Sequence, residues 1–269
     1  MPAGTEGTEG TEGTEHEKQA EGKKIISFCL YLDPAARIRW QEYLIGIRLN
    51  AAATAKYFPD WTMQVYVRLP PLVMDFARRA APNATFIPVR QGRNPMLERY
   101  RPIMQQADGD ICIVRDIDSV VSLQDAALVR SWIDHRTEKC FCYSEYLMGG
   151  ACMGGGVGVK GAVALDDLPR AADDTGRGHD EAIIGDALKD LTSLTTLTRM
   201  QDNGFYFLYR DPIEPPCIED LLWVVADPLL CRMSKFMQGP IADHLEALLA
   251  IDLDTLPLDV SCPNVQWCR

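Results

Sequence analysis

The 269-residue sequence has no Cys-x-x-Cys pair among its nine cysteines and no run of 18 or more apolar residues. Basic residues are not in excess either: 27 Lys and Arg stand against 38 Asp and Glu, a formal net charge of -11. Each absence excludes something. An odd cysteine count without paired spacing, with Cys29 set inside Ile-Ile-Ser-Phe-Cys-Leu-Tyr, argues against a disulfide framework and for buried thiols in a reducing compartment. His135, Cys140 and Cys142 do not have the spacing of a usual zinc ligand set. A membrane-spanning helix needs about 20 predominantly apolar residues, and no stretch supplies them. The sequence also shows neither the basic start nor the apolar core of a signal peptide, so a cytoplasmic location is expected. The acidic balance excludes broad nucleic-acid or anionic-membrane binding, which needs a basic face. It leaves room for a small phosphorylated ligand, because one arginine or one metal ion can reverse the field inside a cleft.

Much of the acidity is local. Residues 1–22 carry Gly-Thr-Glu four times in succession and hold six Glu against one Lys, which is -5 of the total and leaves -6 for the rest. A Gly/Thr/Glu repeat without apolar period buries too little surface to offset its chain entropy, so 1–22 is expected to be a disordered tail. No later linker forces a division, and 23–269 is expected to be one domain. Its material is ordinary for a globular protein, with 47% hydrophobic residues across the whole sequence.

From Lys24 onward the pattern alternates. Ile25 to Leu32 reads as a buried strand. Arg37 to Phe58 has apolar residues at helical spacing and closes at Pro59-Asp60. Thr62 to Val67 reads as a strand, Pro71 to Ala80 as a helix and Thr85 to Val89 as a strand. Met96 to Ala107 is expected to be one helix, Asp110 to Arg115 a strand, and Ser122 to His135 a helix with Ser122 as N-cap. Such β-α alternation with short connections predicts an α/β fold with a parallel, helix-covered sheet, whose ligands bind beyond the carboxyl ends of the strands. The second half is less regular. Lys139 to Tyr143 reads as a strand, Gly149 to Gly161 is glycine-rich, Asp180 to Leu191 is an amphipathic helix, Phe205 to Tyr209 is apolar, and another helix is expected near Ile241 to Ile251.

The sharpest chemical feature is Ile111-Cys-Ile-Val-Arg115-Asp116-Ile117-Asp118-Ser119, an apolar strand running into two carboxylates. Strand periodicity would put Asp116 and Asp118 on one face. Two adjacent carboxylates repel, and one takes up a proton unless a cation holds them. Mg2+ or Mn2+, sharing oxygen ligands with a diphosphate, resolves that conflict and would act as a Lewis acid toward a departing diphosphate. The plainer alternative is a solvated turn with Asp118 capping the next helix.

Arg115-Asp-Ile-Asp-Ser119 followed by a helix ending Val-Arg-Ser-Trp resembles the Arg-Asp-x-Asp-Ser signature of GT-A type, nucleotide-sugar-dependent glycosyltransferases. Other blocks agree in order: Phe28 to Tyr31, Gly46-x-x-x-Asn50 through Tyr57-Phe-Pro59-Asp-Trp61, Met96-Leu-Glu-Arg99-Tyr-Arg-Pro102, Gly154-Gly-Gly-Val-Gly158-Val-Lys160 and Gly178-His-Asp-Glu181. The resemblance spans roughly residues 24–190. It implies a Rossmann-like GT-A fold, mostly parallel with helices on both faces. It also implies a divalent cation, a UDP- or GDP-sugar donor and a glycan or other hydroxyl acceptor. Asp116 and Asp118 would hold the metal and the donor diphosphate. Arg99 and Arg115 would lie near phosphate or ribose, each with a plain salt bridge as its alternative. Tyr31 would stack on the base or serve as a core aromatic. Gly154 and Gly155 would let backbone approach the donor sugar, or form a flexible loop. Asp180 or Glu181 would remove the acceptor proton if the transfer inverts; otherwise they cap a helix. His179 is expected to orient or to lie at the surface, and His244 could reach the metal. Val120 stands where the family often has Arg, Gly156-Val157 replaces a Met-Trp pair, and the last third matches poorly.

Two rival readings remain at this level. A haloacid-dehalogenase-like phosphohydrolase also ends an apolar strand in Asp-x-Asp, with the first Asp as nucleophile. That motif opens its domain, whereas here it follows three β/α units. A binding module for nucleotide-sugar or glycan, without turnover, is the other.

Overall fold

A computed structural model of the chain describes residues 22–31, 40–91, 93–118, 120–121, 123–135, 139–145, 152–163, 179–188, 205–206, 245–246 and 249–250. The Gly-Thr-Glu segment before Gly22, Ser122 and His244 lie outside the described residues.

The elements run β1 (Lys24–Tyr31), α1 (Trp40–Tyr57), β2 (Thr62–Arg68), α2 (Pro71–Ala80), β3 (Thr85–Pro88), α3 (Pro95–Glu98), α4 (Arg101–Met104), β4 (Ile111–Arg115), α5 (Leu123–His135), β5 (Cys140–Glu145), β6 (Cys152–Lys160), α6 (His179–Leu188) and β7 (Phe205–Tyr206). Helical backbone recurs at Leu245, Glu246, Leu249 and Ala250, within the expected C-terminal helix. Local chemistry explains several boundaries. Pro71 opens α2 at its first turn, where a missing N–H costs nothing. Asn94 caps α3 by accepting from the Met96 N–H at 3.0 Å, with Pro95 next in line. The single helix expected over Met96 to Ala107 is instead two short turns, α3 and α4, broken at Arg99-Tyr100. Pro102 is the cause: it has no N–H for the Glu98 carbonyl, and its ring crowds that turn.

The strands form one sheet in the order β3-β2-β1-β4-β6-β5-β7. β3, β2, β1 and β4 are parallel, while β6 runs antiparallel to both β4 and β5, and β7 antiparallel to β5. The sheet is therefore mostly parallel in an α/β fold. Alternation along the strands divides the core between its two faces. Ile26, Phe28 and Leu30 of β1, with Ile111 and Ile113 of β4, join residues of α1, α2 and α5. Cys112 and Val114 of β4, with Val157 and Val159 of β6, join Leu97, Tyr100, Ile103, Ile184 and Leu188 from α3, α4 and α6. Helices thus cover both faces. Each aliphatic or Phe side chain so buried stabilises the fold by about 1.5–3 kcal/mol relative to exposure.

The strand order also fixes where a ligand fits. After β1 the chain builds outward through β2 and β3, then returns to place β4 on the other side of β1. This reversal leaves a crevice beyond the carboxyl ends of β1 and β4, the switch point at which open α/β sheets bind ligands. Among the described residues, no helix is long and apolar enough to cross a membrane.

Candidate functional site

β4 ends at Arg115, so Asp116 is the first residue past the strand, and Ile117 and Asp118 lie in a turn. The strand-periodicity argument for a shared face therefore stops at Asp116. Both carboxylates nevertheless sit at the carboxyl end of β4, beside the switch point, and both are half-buried. β1 continues three residues past the level of Arg115, because Ser27 pairs with Val114. Tyr31 therefore ends β1 on the crevice side, packed with Cys29, Tyr66, Ile87, Val89 and Met96.

Arg99 reaches the same place from the break between α3 and α4. Its guanidinium is 1% exposed and is ion-paired through NH1 with Asp116 Oδ1. It also lies 5.3 Å from the centre of the Tyr100 ring. The Ser27 hydroxyl of β1 fixes this segment by donating to the Arg99 carbonyl at 2.6 Å, a buried bond. On the other side of Asp116 stands β6. An ideal Cβ on Gly155 would lie 2.1 Å from Asp116 Oδ2 and 2.8 Å from the Asp116 nitrogen. Gly155 is thus required by the aspartate itself: a side chain there would occupy the place of the carboxylate. The glycines lie within strand β6 rather than in a loop, and Gly155 to Val159 are buried.

Arg115 does not belong to this set. It is buried, its Nε and NH2 donate to the two Asp125 oxygens at 2.9 and 2.7 Å, and its NH1 donates to the Val114 and Val157 carbonyls at 2.8 and 3.2 Å. Strand alternation is the reason. Arg115 points with Ile111 and Ile113 toward α5, where Asp125 stands in the first turn, while Asp116 points with Cys112 and Val114 toward Arg99. Arg115 is thus found in the salt bridge given as its alternative, a buried pair with Asp125.

The turn after β4 is gripped by α1. Asn50, wholly buried, donates through its Nδ2 to the Ile117 and Gly46 carbonyls, each at 3.0 Å, and accepts from the Val121 N–H at 3.0 Å. An ideal Cβ on Gly46 would lie 2.0 Å from the Ile117 oxygen and 3.5 Å from Asp118 Cα. Gly46 and Asn50 are one helical turn apart and so share a face. Their spacing was visible in the sequence, but its target was not. Val120 is buried among the core residues of this face, not directed at the crevice.

At the carboxyl end of β2, Glu98 is almost wholly buried, held at Oε1 by Arg93 Nε at 2.9 Å and at Oε2 by Arg101. Arg101 lies 5.7 Å from the Tyr66 ring centre, and burial pushes the Tyr66 phenol up to about 12. Cys29, Cys112, Cys140 and Cys142 are buried, and none of the four is in a disulfide. Burial raises the Cys112 thiol well above its ordinary range and the Cys140 thiol to about 12, so these are apolar core groups. α6 begins at His179 and packs against β6. The side chains of His179, Asp180 and Glu181, and the burial of Gly154, lie outside what is described.

Among the described residues, no three His, Cys, Asp or Glu side chains converge as a metal-ion cluster. Among the described residues at the carboxyl end of β4, Asp116 and Asp118 carry carboxylates. Carboxylate oxygens are the donor type that Mg2+ or Mn2+ takes, commonly one or two of them with the shell completed by substrate phosphates and water.

No protein-family model matches the sequence. No curated protein matches it. Among solved structures, the chain is similar to the galactosyltransferase LgtC in complex with donor and acceptor sugar analogues. The identity is 12% and the TM-score 0.44, over 80% of this chain and 97% of that one. An active-site mutant of LgtC gives 13% identity and a TM-score of 0.43, with the same coverage of both chains.

Proposed function

We propose that the protein is a metal-dependent glycosyltransferase that moves a sugar from a nucleotide-diphosphate-sugar to a hydroxyl acceptor, a glycan being the expected class. The observation that carries this reading is the position of Asp116 and Asp118 at the carboxyl end of β4, on the switch-point side of the sheet. The ordered motif resemblance over residues 24–190, of which these two aspartates are one block, also supports it.

In this reading Asp116 and Asp118 hold the cation together with the donor diphosphate. The bound Mg2+ or Mn2+ would supply Lewis-acid stabilisation of the leaving diphosphate. Arg99 holds Asp116 in place and adds positive charge where phosphate arrives. Tyr31, at the end of β1, is assigned to the base. Gly155 keeps β6 close without displacing the Asp116 carboxylate. Asp180 or Glu181, in the first turn of α6, is assigned to removing the acceptor hydroxyl proton.

The test is turnover. Nucleotide diphosphate released from UDP- and GDP-sugars is followed with and without Mn2+ for the parent, Asp116→Ala and Asp118→Ala. Release by the parent alone supports the transferase. Nucleotide binding without release points to a binding module. Inorganic phosphate from a simple phosphomonoester points to a phosphohydrolase.

A further inference from the structure

The Asp116–Asp118 segment is irregular backbone just past a strand, the kind of segment that moves unless something fixes it. Its fixture comes from a helix about 70 positions earlier in the chain. The Asn50 amide nitrogen donates to the Gly46 and Ile117 carbonyls and its oxygen accepts from the Val121 N–H, so Ile117 and Val121 are tied to one side chain on α1. Gly46 lets the helix lie directly against Ile117 and the Asp118 Cα. A buried amide with both N–H groups donated and its oxygen accepting holds one geometry and disfavours others.

We infer that Asn50 is a positioning residue for the cation. It sets where the backbone of Asp118 lies relative to Asp116, and thereby the affinity for the divalent ion. Asn50 does not touch the ion; it acts through the turn. This rests on the metal-dependent reading above and extends it to a residue buried beneath the site. Side chains that orient metal ligands from behind change metal affinity by about 10–100-fold when removed.

The experiment compares the parent with Asn50→Ala, Asn50→Asp and Val73→Ala. Val73 is a buried residue of α2 in the same core face, away from the turn, and its truncation controls for general destabilisation. Two quantities are read. The first, without metal or nucleotide, is amide hydrogen exchange at Val121 relative to the β1–β4 ladder. Asn50→Ala is expected to lose protection at Val121 with the ladder kept, while Asn50→Asp, which retains the acceptor but sets its second oxygen against the Gly46 and Ile117 carbonyls, keeps part of it. The second is the Mn2+ concentration giving half the thermal shift in the presence of UDP or GDP, whichever shifts the parent. Asn50→Ala is expected to raise it about tenfold or more, Asn50→Asp less, and Val73→Ala not at all. Unchanged half-saturation in Asn50→Ala, or an equal rise in Val73→Ala, overturns the inference. A parent that never responds to Mn2+ overturns the metal-dependent reading, and the claim about Asn50 with it. Val121 exchange then still reports whether the clamp exists, which keeps the two failures apart.

Discussion

Arg99 and Asp116 form an ion pair across the carboxyl end of the sheet in which the cation is 1% exposed and the anion 28%. The asymmetry has a consequence. Removing the aspartate leaves a guanidinium buried without its counter-charge, which in fully buried pairs costs about 3–5 kcal/mol. Because Asp116 is partly solvated, the loss for Asp116→Ala is expected near the lower end, about 3 kcal/mol. Urea unfolding measures it. Asp116→Ala with Arg99→Met should recover part of that loss, since the unpaired charge is gone.

Gly155→Ala tests the same locus from β6. The new Cβ would fall on the Asp116 carboxylate and close to its backbone nitrogen. Overpacking of this kind costs about 1–3 kcal/mol. Nucleotide affinity in the presence of Mn2+ should fall with it. In a double-mutant cycle with Asp116→Ala, the stability losses should be less than additive, because the second change removes the atoms that collide.

The pair Arg115–Asp125 makes the opposite functional prediction. Both side chains are buried and joined by two bonds. Asp125→Ala should cost about 3–5 kcal/mol by stranding Arg115, and replacing both residues by apolar ones should cost clearly less. In variants still folded at the assay temperature, nucleotide affinity should match the parent. A specific loss of affinity would return Arg115 to the site.

Acid sensitivity should include a contribution from Asp110. The Ala107 and Lys23 N–H groups donate to its carboxylate and hold its pKa below the usual value. A lowered folded-state pKa gives stability that is present above the ordinary Asp value near 4 and is lost as pH falls through the folded value. Asp110→Asn should therefore be less stable than the parent at pH 7, with the gap narrowing below about pH 4. Equilibrium unfolding at pH 7 and pH 3 checks the sign.

The elements legible in the sequence were those set by local chemistry. Pro70-Pro71 and the apolar period fixed α2 at Pro71–Ala80, as expected. The apolar run of β4, with Asp116 and Asp118 past its end, is readable for the same reason. Pro102 is equally local, yet the apolar spacing on both sides of it reads as one helix over Met96–Ala107, and the proline splits it. What could not be read was partnership. Nothing local tells Arg115 from Arg99, because one side of β4 meets Asp125 and the other meets Asp116. The antiparallel course of β6 beside β4 depends on pairing between strands about 40 residues apart. Asn50 stands in the sequence as part of the Gly46-x-x-x-Asn50 block of the resemblance; its bonds to Ile117 and Val121 give it a role.

The central claim is that Asp116 and Asp118 bind a nucleotide diphosphate through a divalent cation. Calorimetric titration of UDP and GDP into the parent and Asp118→Ala, each with Mn2+ and with EDTA, tests it most directly. The parent is expected to bind at least one nucleotide only when Mn2+ is present, and Asp118→Ala to lose at least tenfold in affinity. Equal affinity in EDTA, or an Asp118→Ala variant that binds like the parent, would contradict it.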